Sequence, residues 1–430
     1  MTSARLAACV LLVVVGWTGT PTSAGGHPPS RPSVADTSDH PNDVPYETNR
    51  SLGYHVLAAP AYVLHGVTRP IGWTLKWVER RFPTVFEPTQ PVRGFLPLID
   101  IGGPAGVLVG GALYDNQLFG TDQRARIQGL YGSSDTFEIR GTYSAPLGPT
   151  TRFEIVGNFF SQPEDDFFIG GNRSDETRDE GEFFRQQLDI DAHVDYTPPG
   201  PFRGSASLLY EHIDADEEDG PLGQTLIDAD LPGFDSSNDF LTPRLRAELD
   251  FTEGQPRTYR GTKLSLRADY THDLTSDRFR YGRYVAQVEQ YLPVGLFPKS
   301  RRLALRARVE QVEPLFEGED VPFYQLPLLG GPRSLRGYEF DRFRDDGSVL
   351  LSAEYRYPIW RMWDAVVFTD AGQVFEAWED VAVSDFQWSY GAGIHLLGPK
   401  GLTFRFEVAN SEDGLQTILT VNPSFRSTGR

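Results

Sequence analysis

The chain has 430 residues, a formal net charge of −19 and one cysteine, Cys9. Such an acidic balance makes nucleic acid a poor partner, and a lone cysteine forms no internal disulfide. Aromatic residues make up 12%, and 43 glycines with 32 prolines point to many strands and turns within one large β-domain.

Arg5 precedes the apolar run 10–15, and Thr22-Ser23-Ala24 follow before Gly25-Gly26. That order describes a secretory signal peptide over 1–24, and its core is too short to span a bilayer as a helix. Leu6-Ala7-Ala8-Cys9 imitates a lipoprotein box, but the hydrophobic core follows the cysteine, so lipidation is rejected. No later apolar run reaches transmembrane-helix length. In a Gram-negative cell this leaves the periplasm, the outer membrane or the exterior.

Residues 25–52 are rich in Pro, Ser, Asp and Thr and read as a disordered linker. Over 53–94, apolar and aromatic residues recur at roughly helical spacing, broken at Pro60 and Pro70. Trp73 and Trp77 with Lys76, Arg80 and Arg81 suit either a membrane interface or a helix packed on the neighbouring domain.

From about residue 95 the pattern has period two. In "QQLDIDAHVDY", Leu188, Ile190, Ala192 and Val194 alternate with Asp189, Asp191, His193 and Asp195. "RLALRARVE" separates Leu303, Leu305, Ala307 and Val309 from Arg302, Arg306, Arg308 and Glu310. A soluble sandwich also alternates, but here full charges fill the polar face on strand after strand, as a wet interior requires. Connections alternate too, between short Pro/Gly turns such as "SAPLGPT" and "TPPGPFRG" and long acidic loops at 161–182, 214–239 and 313–347.

These features predict an all-β fold, a 16-stranded antiparallel transmembrane β-barrel over 95–425 with both ends in the periplasm. The strands fall at about 95–102, 106–115, 123–132, 135–146, 150–161, 182–197, 203–214, 239–253, 261–274, 278–294, 300–313, 347–358, 362–376, 384–397, 401–411 and 415–425. On the last strand Leu419, Val421 and Phe425 share the outward face, like a terminal targeting strand, and a short tail, 426–430, follows.

The loop 313–347 contains "LLGGPRSLRGYEFDRF", hinged by Gly330 and Gly331. Further on, "VVFTDAGQV" puts Phe368, Asp370 and Gly372 on one strand face. An inward Asp370 is costly without a partner, and a guanidinium on a returning loop binds such a carboxylate with two parallel hydrogen bonds. Leu335-Arg336-Gly337-Tyr338 resembles the [V/I]-R-G-[F/Y] motif on the sixth external loop of the BamA/TamA family. Phe368-Thr369-Asp370-Ala371-Gly372 resembles that family's F-x-[D/E]-x-G motif, and falls on the thirteenth strand in the count above. Residues 106–121 and "FFIGGN" at 167–172 are also similar.

The resemblance implies an inward-folded loop latched by Arg336 on Asp370; the alternative is that Arg336 contacts solvent or another lumenal acid, such as Glu310 or Glu354. It also implies assistance in inserting or exporting proteins, or lipid, at the outer membrane. The partners would be outer-membrane lipid and lipopolysaccharide, an unfolded β-barrel or exported client, and a periplasmic protein. The family's periplasmic POTRA repeats are not legible in 25–94. Pro97, Pro104 and Pro423 near the first and last strands either weaken pairing there or simply end strands.

A gated or passive channel and a non-catalytic surface scaffold are the alternatives. Residues 214–230 are acidic, but their glycine spacing misses a calcium-binding loop. G-x-S-x-G, H-E-x-x-H and phosphate-loop motifs are missing, and His193 beside Asp191 and Asp195 reads as an interior charge cluster. No catalytic residue, metal or cofactor is expected.

Overall fold

Where lipid lies on one side of a sheet and water on the other, each strand must alternate apolar and polar side chains, and no hydrogen-bonding edge can face the lipid. The computed structural model shows how the sequence meets the first demand. It describes residues 92–421 apart from 104–105, 133–134, 169–170, 174–179, 218–230, 235, 255–257, 295–300, 361–362 and 398–402. The expected signal peptide, the linker, nearly all of the helical segment 53–94, Pro104, Pro423, Phe425 and the tail lie outside the described residues.

The first half of the wall comprises β1 (Arg93–Gly103), β2 (Gly106–Leu118), β3 (Gln123–Gly132), β4 (Phe137–Pro146), β5 (Thr151–Phe168), β6 (Glu180–Tyr196), β7 (Phe202–Glu217) and β8 (Ser236–Asp250). The second half starts with β9 (Gly261–Asp273), β10 (Arg280–Pro293) and β11 (Arg302–Pro314). A two-residue pair, β12 (Leu328–Leu329) and β13 (Phe343–Arg344), belongs to the loop that follows. The wall resumes with β14 (Gly347–Trp360), β15 (Trp363–Phe375), β16 (Gln387–Leu397), β17 (Thr403–Ser411) and β18 (Gly414–Val421).

Apart from β12 and β13, these strands form one 16-stranded sheet, each pairing with the next. β1 and β18 lie side by side, yet among the described residues no hydrogen-bonded ladder joins them. Pro97, which cannot donate to a ladder, sits within β1 opposite Gly111 of β2.

The register carries the two-faced pattern around the wall. Ser352, Asp370 and Ser389 are successive ladder partners, all buried. Leu351, Val367, Trp388, Phe404, Phe406 and Leu419 are exposed on the opposite face. Val421 ends β18, paired with Phe404 of β17.

The ends of several elements differ from expectation. β5 and β6 reach Phe168 and Glu180, into the span expected as loop 161–182, and β7 and β8 reach Glu217 and Ser236, into 214–239. These extensions carry Phe167 and Ala215, which with Phe183, Ile213 and Phe240 beside them pack on Val321, Phe323 and Tyr324 of the long loop after β11. Burial against that loop, not against lipid, lets the strands continue. β1 begins at Arg93, inside the segment expected as 53–94, and β16 begins three residues late because 383–385 forms a 3-10 turn.

Candidate functional site: a loop latched inside the barrel

Residues 315–346 leave β11 as an external connection and turn back into the lumen. The Leu328–Arg344 and Leu329–Phe343 pairs form a neck, and the tip beyond it needs backbone that only glycine adopts readily. Gly330 has φ +125°, and a Cβ there would lie 2.2 Å from the Glu339 carbonyl oxygen. Gly337 has φ +93°. The Ser334 hydroxyl closes the turn, accepting from the Gly330 N–H at 2.8 Å and donating to the Gly330 carbonyl at 2.6 Å.

Wall side chains hold the tip by its carbonyls. Arg306 donates to the Arg333 carbonyl at 2.8 Å, and Arg405 to the Pro332 carbonyl at 2.9 Å. Leu335 and Tyr338 join Leu329, Phe343, Leu350 and Val374 in an apolar cluster. The Tyr338 hydroxyl donates to the Trp388 carbonyl at 3.2 Å. A Cβ on Gly372 would lie 2.9 Å from Leu329 Cδ1 and 3.2 Å from the Val349 carbonyl oxygen, so this glycine gives the loop its room.

Arg336 projects from the tip into a fully enclosed charge cluster and is 1% exposed. Its Nε and Nη2 meet Asp370 Oδ2 and Oδ1 at 2.7 and 2.9 Å, the fork-on-fork geometry of a strong guanidinium–carboxylate pair. Nη1 reaches Glu354 at 2.7 Å and Glu407 at 3.1 Å. The guanidinium carbon stands 3.6 Å from the centre of the Phe368 ring, a cation–π contact. Asp370, Glu354 and Glu407 are each 0% exposed.

Three buried carboxylates around one guanidinium leave negative charge to be balanced. Arg356 donates to Glu354 at 2.7 Å. Arg405 and His395 both bond Glu407, the imidazole Nε2 at 2.8 Å. The residues singled out in the sequence, Leu335, Arg336, Gly337, Tyr338, Phe368, Asp370 and Gly372, thus meet in one place, hinged at Gly330 and Gly331. Glu354, an alternative partner, joins Asp370 instead of replacing it, whereas Glu310 pairs with Arg283 and Arg308 elsewhere.

Sequence reading missed Glu407, Arg405 and His395. Alternation in "LTFRFEVA" already puts Arg405 and Glu407 on one face, but it does not say what they face. His193 on β6 stands 3.5 Å from Asp195 and 3.8 Å from Glu154, within an interior charge group. Among the described residues no group of His, Cys, Asp and Glu is arranged to hold a metal ion.

The Omp85 superfamily domain matches residues 117–420. No curated protein matches the chain. Among solved structures, the chain is similar to BamA from Haemophilus ducreyi lacking POTRA domains 1–3, at 14% identity and TM-score 0.57, over 77% of this chain and 69% of that one. It is similar as well to CdiB from Escherichia coli, at 14% identity and TM-score 0.52, over 78% of this chain and 63% of that one. The match therefore spans less than two thirds of CdiB.

Proposed function

The chain belongs to the Omp85 superfamily of outer-membrane β-barrels, and from that premise we propose that it assists insertion or export of proteins, or of lipid, at the outer membrane. The observation that carries this reading is the β1–β18 seam, where among the described residues two strands lie together without a ladder while every other neighbouring pair in the wall is zipped. An unpaired strand edge is a template for an incoming strand. Arg336 acts as the latch that keeps the loop inside while the seam works, a structural role with no chemical step.

In this reading residues 1–24 direct export, 25–52 are a linker, and Leu419, Val421 and Phe425 are a targeting signal for the barrel's own assembly. The client is an unfolded outer-membrane or exported protein, delivered by residues 53–94 or by a separate periplasmic partner, in contact with outer-membrane lipid and lipopolysaccharide. The chain is not an enzyme and needs no cofactor.

The test is reconstitution of the barrel into liposomes, with and without residues 53–82, following protease-protected assembly of an unfolded β-barrel client and solute leakage together. Faster client assembly is expected. Solute flux without assembly would replace this reading with a channel, and neither activity would leave a surface scaffold.

A further inference from the structure

Below the latched loop, near the short turns, the lumen holds a cavity of about 590 Å³ lined by five arginines, including Arg152, Arg203, Arg246, Arg267 and Arg308. Three are engaged with wall carboxylates: Arg203 with Glu248 and Asp250, Arg267 with Asp269, and Arg308 with Glu310. The other two have no ion pair among the described residues. Arg152 only donates to the Ser144 hydroxyl at 3.3 Å, while Asp195, its ladder neighbour, approaches His193 at 3.5 Å. Arg246 sits directly opposite Arg267 in the β8–β9 ladder, a placement of like charges that destabilises a sheet, and the nearby carboxylate of Asp269 is already bonded to Arg267.

Two polar groups in the same lining are also unpartnered. Ser265 Oγ is buried without a hydrogen bond, and so is Oε1 of Gln287, a residue only 2% exposed whose Nε2 is committed to Glu289. Two guanidinium charges without a direct ion pair, Arg246 meeting Asp191 and Asp269 only at longer range, match the roughly −1.5 to −2 of a phosphate monoester better than the single charge of a carboxylate. Guanidinium forks suit phosphate oxygens, and an orphaned amide oxygen needs a hydrogen-bond donor, which a ligand hydroxyl supplies. The volume lies within the 300–1,000 Å³ typical of small-ligand sites, about an order of magnitude more than bare phosphate needs.

From this geometry we propose that the lumenal cavity binds a phosphate monoester carrying free hydroxyls. Arg152 and Arg246 neutralise the phosphate, and Ser265 and Gln287 bond the hydroxylated part. The site does not depend on the insertion reading.

The experiment is equilibrium dialysis of labelled glycerol 3-phosphate against the full chain in detergent, with barrel folding verified by heat-modifiable gel migration. Saturable binding at one site per barrel is expected, competed by inorganic phosphate and weakened tenfold or more by R246Q and by R152Q. R124Q, on β3 away from the cavity, keeps it. Gln287→Ala weakens glycerol 3-phosphate but not inorganic phosphate. R246Q relieves a like-charge contact, so it is expected to fold, and R152Q tests the site independently. Displacement by phosphatidic acid in mixed micelles would identify a lipid headgroup as the ligand; displacement only by soluble esters would identify a free metabolite, and either supports the site. Absence of saturable binding, undiminished binding in both variants, or equal competition by acetate overturns it.

Discussion

Arg336 contacts three enclosed carboxylates, so removing it does more than break one bond. In Arg336→Ala, Asp370, Glu354 and Glu407 keep their burial while losing the group they share. Breaking a buried pair on one side typically costs about 3–5 kcal/mol. We expect a loss of that order in guanidinium unfolding of the detergent-solubilised barrel followed by tryptophan fluorescence. Asp370→Asn should lose less, because Arg336 retains two carboxylates. Arg336→Lys should fall between them, since an ammonium cannot span Asp370 with a fork. Equal unfolding midpoints for parent and Arg336→Ala would refute the latch. At this scale the sequence was informative about Asp370, because motif spacing and strand parity both pointed to it. It was uninformative about Glu407 and His395, because only the folded wall brings β16 and β17 to the charge group that Arg336 enters.

At the scale of elements, alternation located the strands because lipid outside and water inside impose period two on every one. It did not locate where β5 to β8 end, since their outer ends answer to a loop and not to the bilayer. That loop is anchored there by Phe323, 1% exposed, whose ring meets Phe167 and Phe183 edge-on at 5.0 Å and Tyr324 at 5.2 Å. Phe323→Ala should cost about 3–5 kcal/mol of loop anchorage. We expect faster amide exchange over 321–329 and higher conductance in planar bilayers, and unchanged values of both would exclude Phe323 as the anchor. The loop's return carries a second dependence. Burial, then Asp345 and Glu376, pushes the Asp346 carboxyl up to about 6. A carboxyl whose folded pKa is raised favours the folded loop while protonated, and that contribution fades as pH rises from the ordinary Asp range through about 6. Limited proteolysis of the loop should therefore be slower at pH 5 than at pH 7.5, and Asp346→Asn should flatten the difference. A loop equally resistant at both pH values would count against this.

At the scale of the molecule, the wall is continuous from β1 to β18, and among the described residues no ladder joins those two strands where they meet. In lipid each unpaired backbone group costs several kcal/mol, so such a boundary persists only if something offsets it or if the edge is kept for use. The two cases differ in which amides are protected. In an antiparallel wall, successive residues of a strand turn their N–H groups to opposite neighbours. Strand β6, with β5 on one side and β7 on the other over Arg185–Tyr196, should therefore be protected at every position of that stretch. In β1 and β18 only alternate amides face β2 or β17, and the others face the seam. Hydrogen exchange of the barrel in nanodiscs, resolved to single amides, should show alternating fast and slow positions along β1 and β18 and uniform protection along that stretch of β6. Adding an unfolded β-barrel client should slow the fast set if the edge accepts a strand. Uniform protection of β1 and β18 without client would mean that the wall is zipped shut in a membrane, and the insertion reading would lose the observation on which it rests.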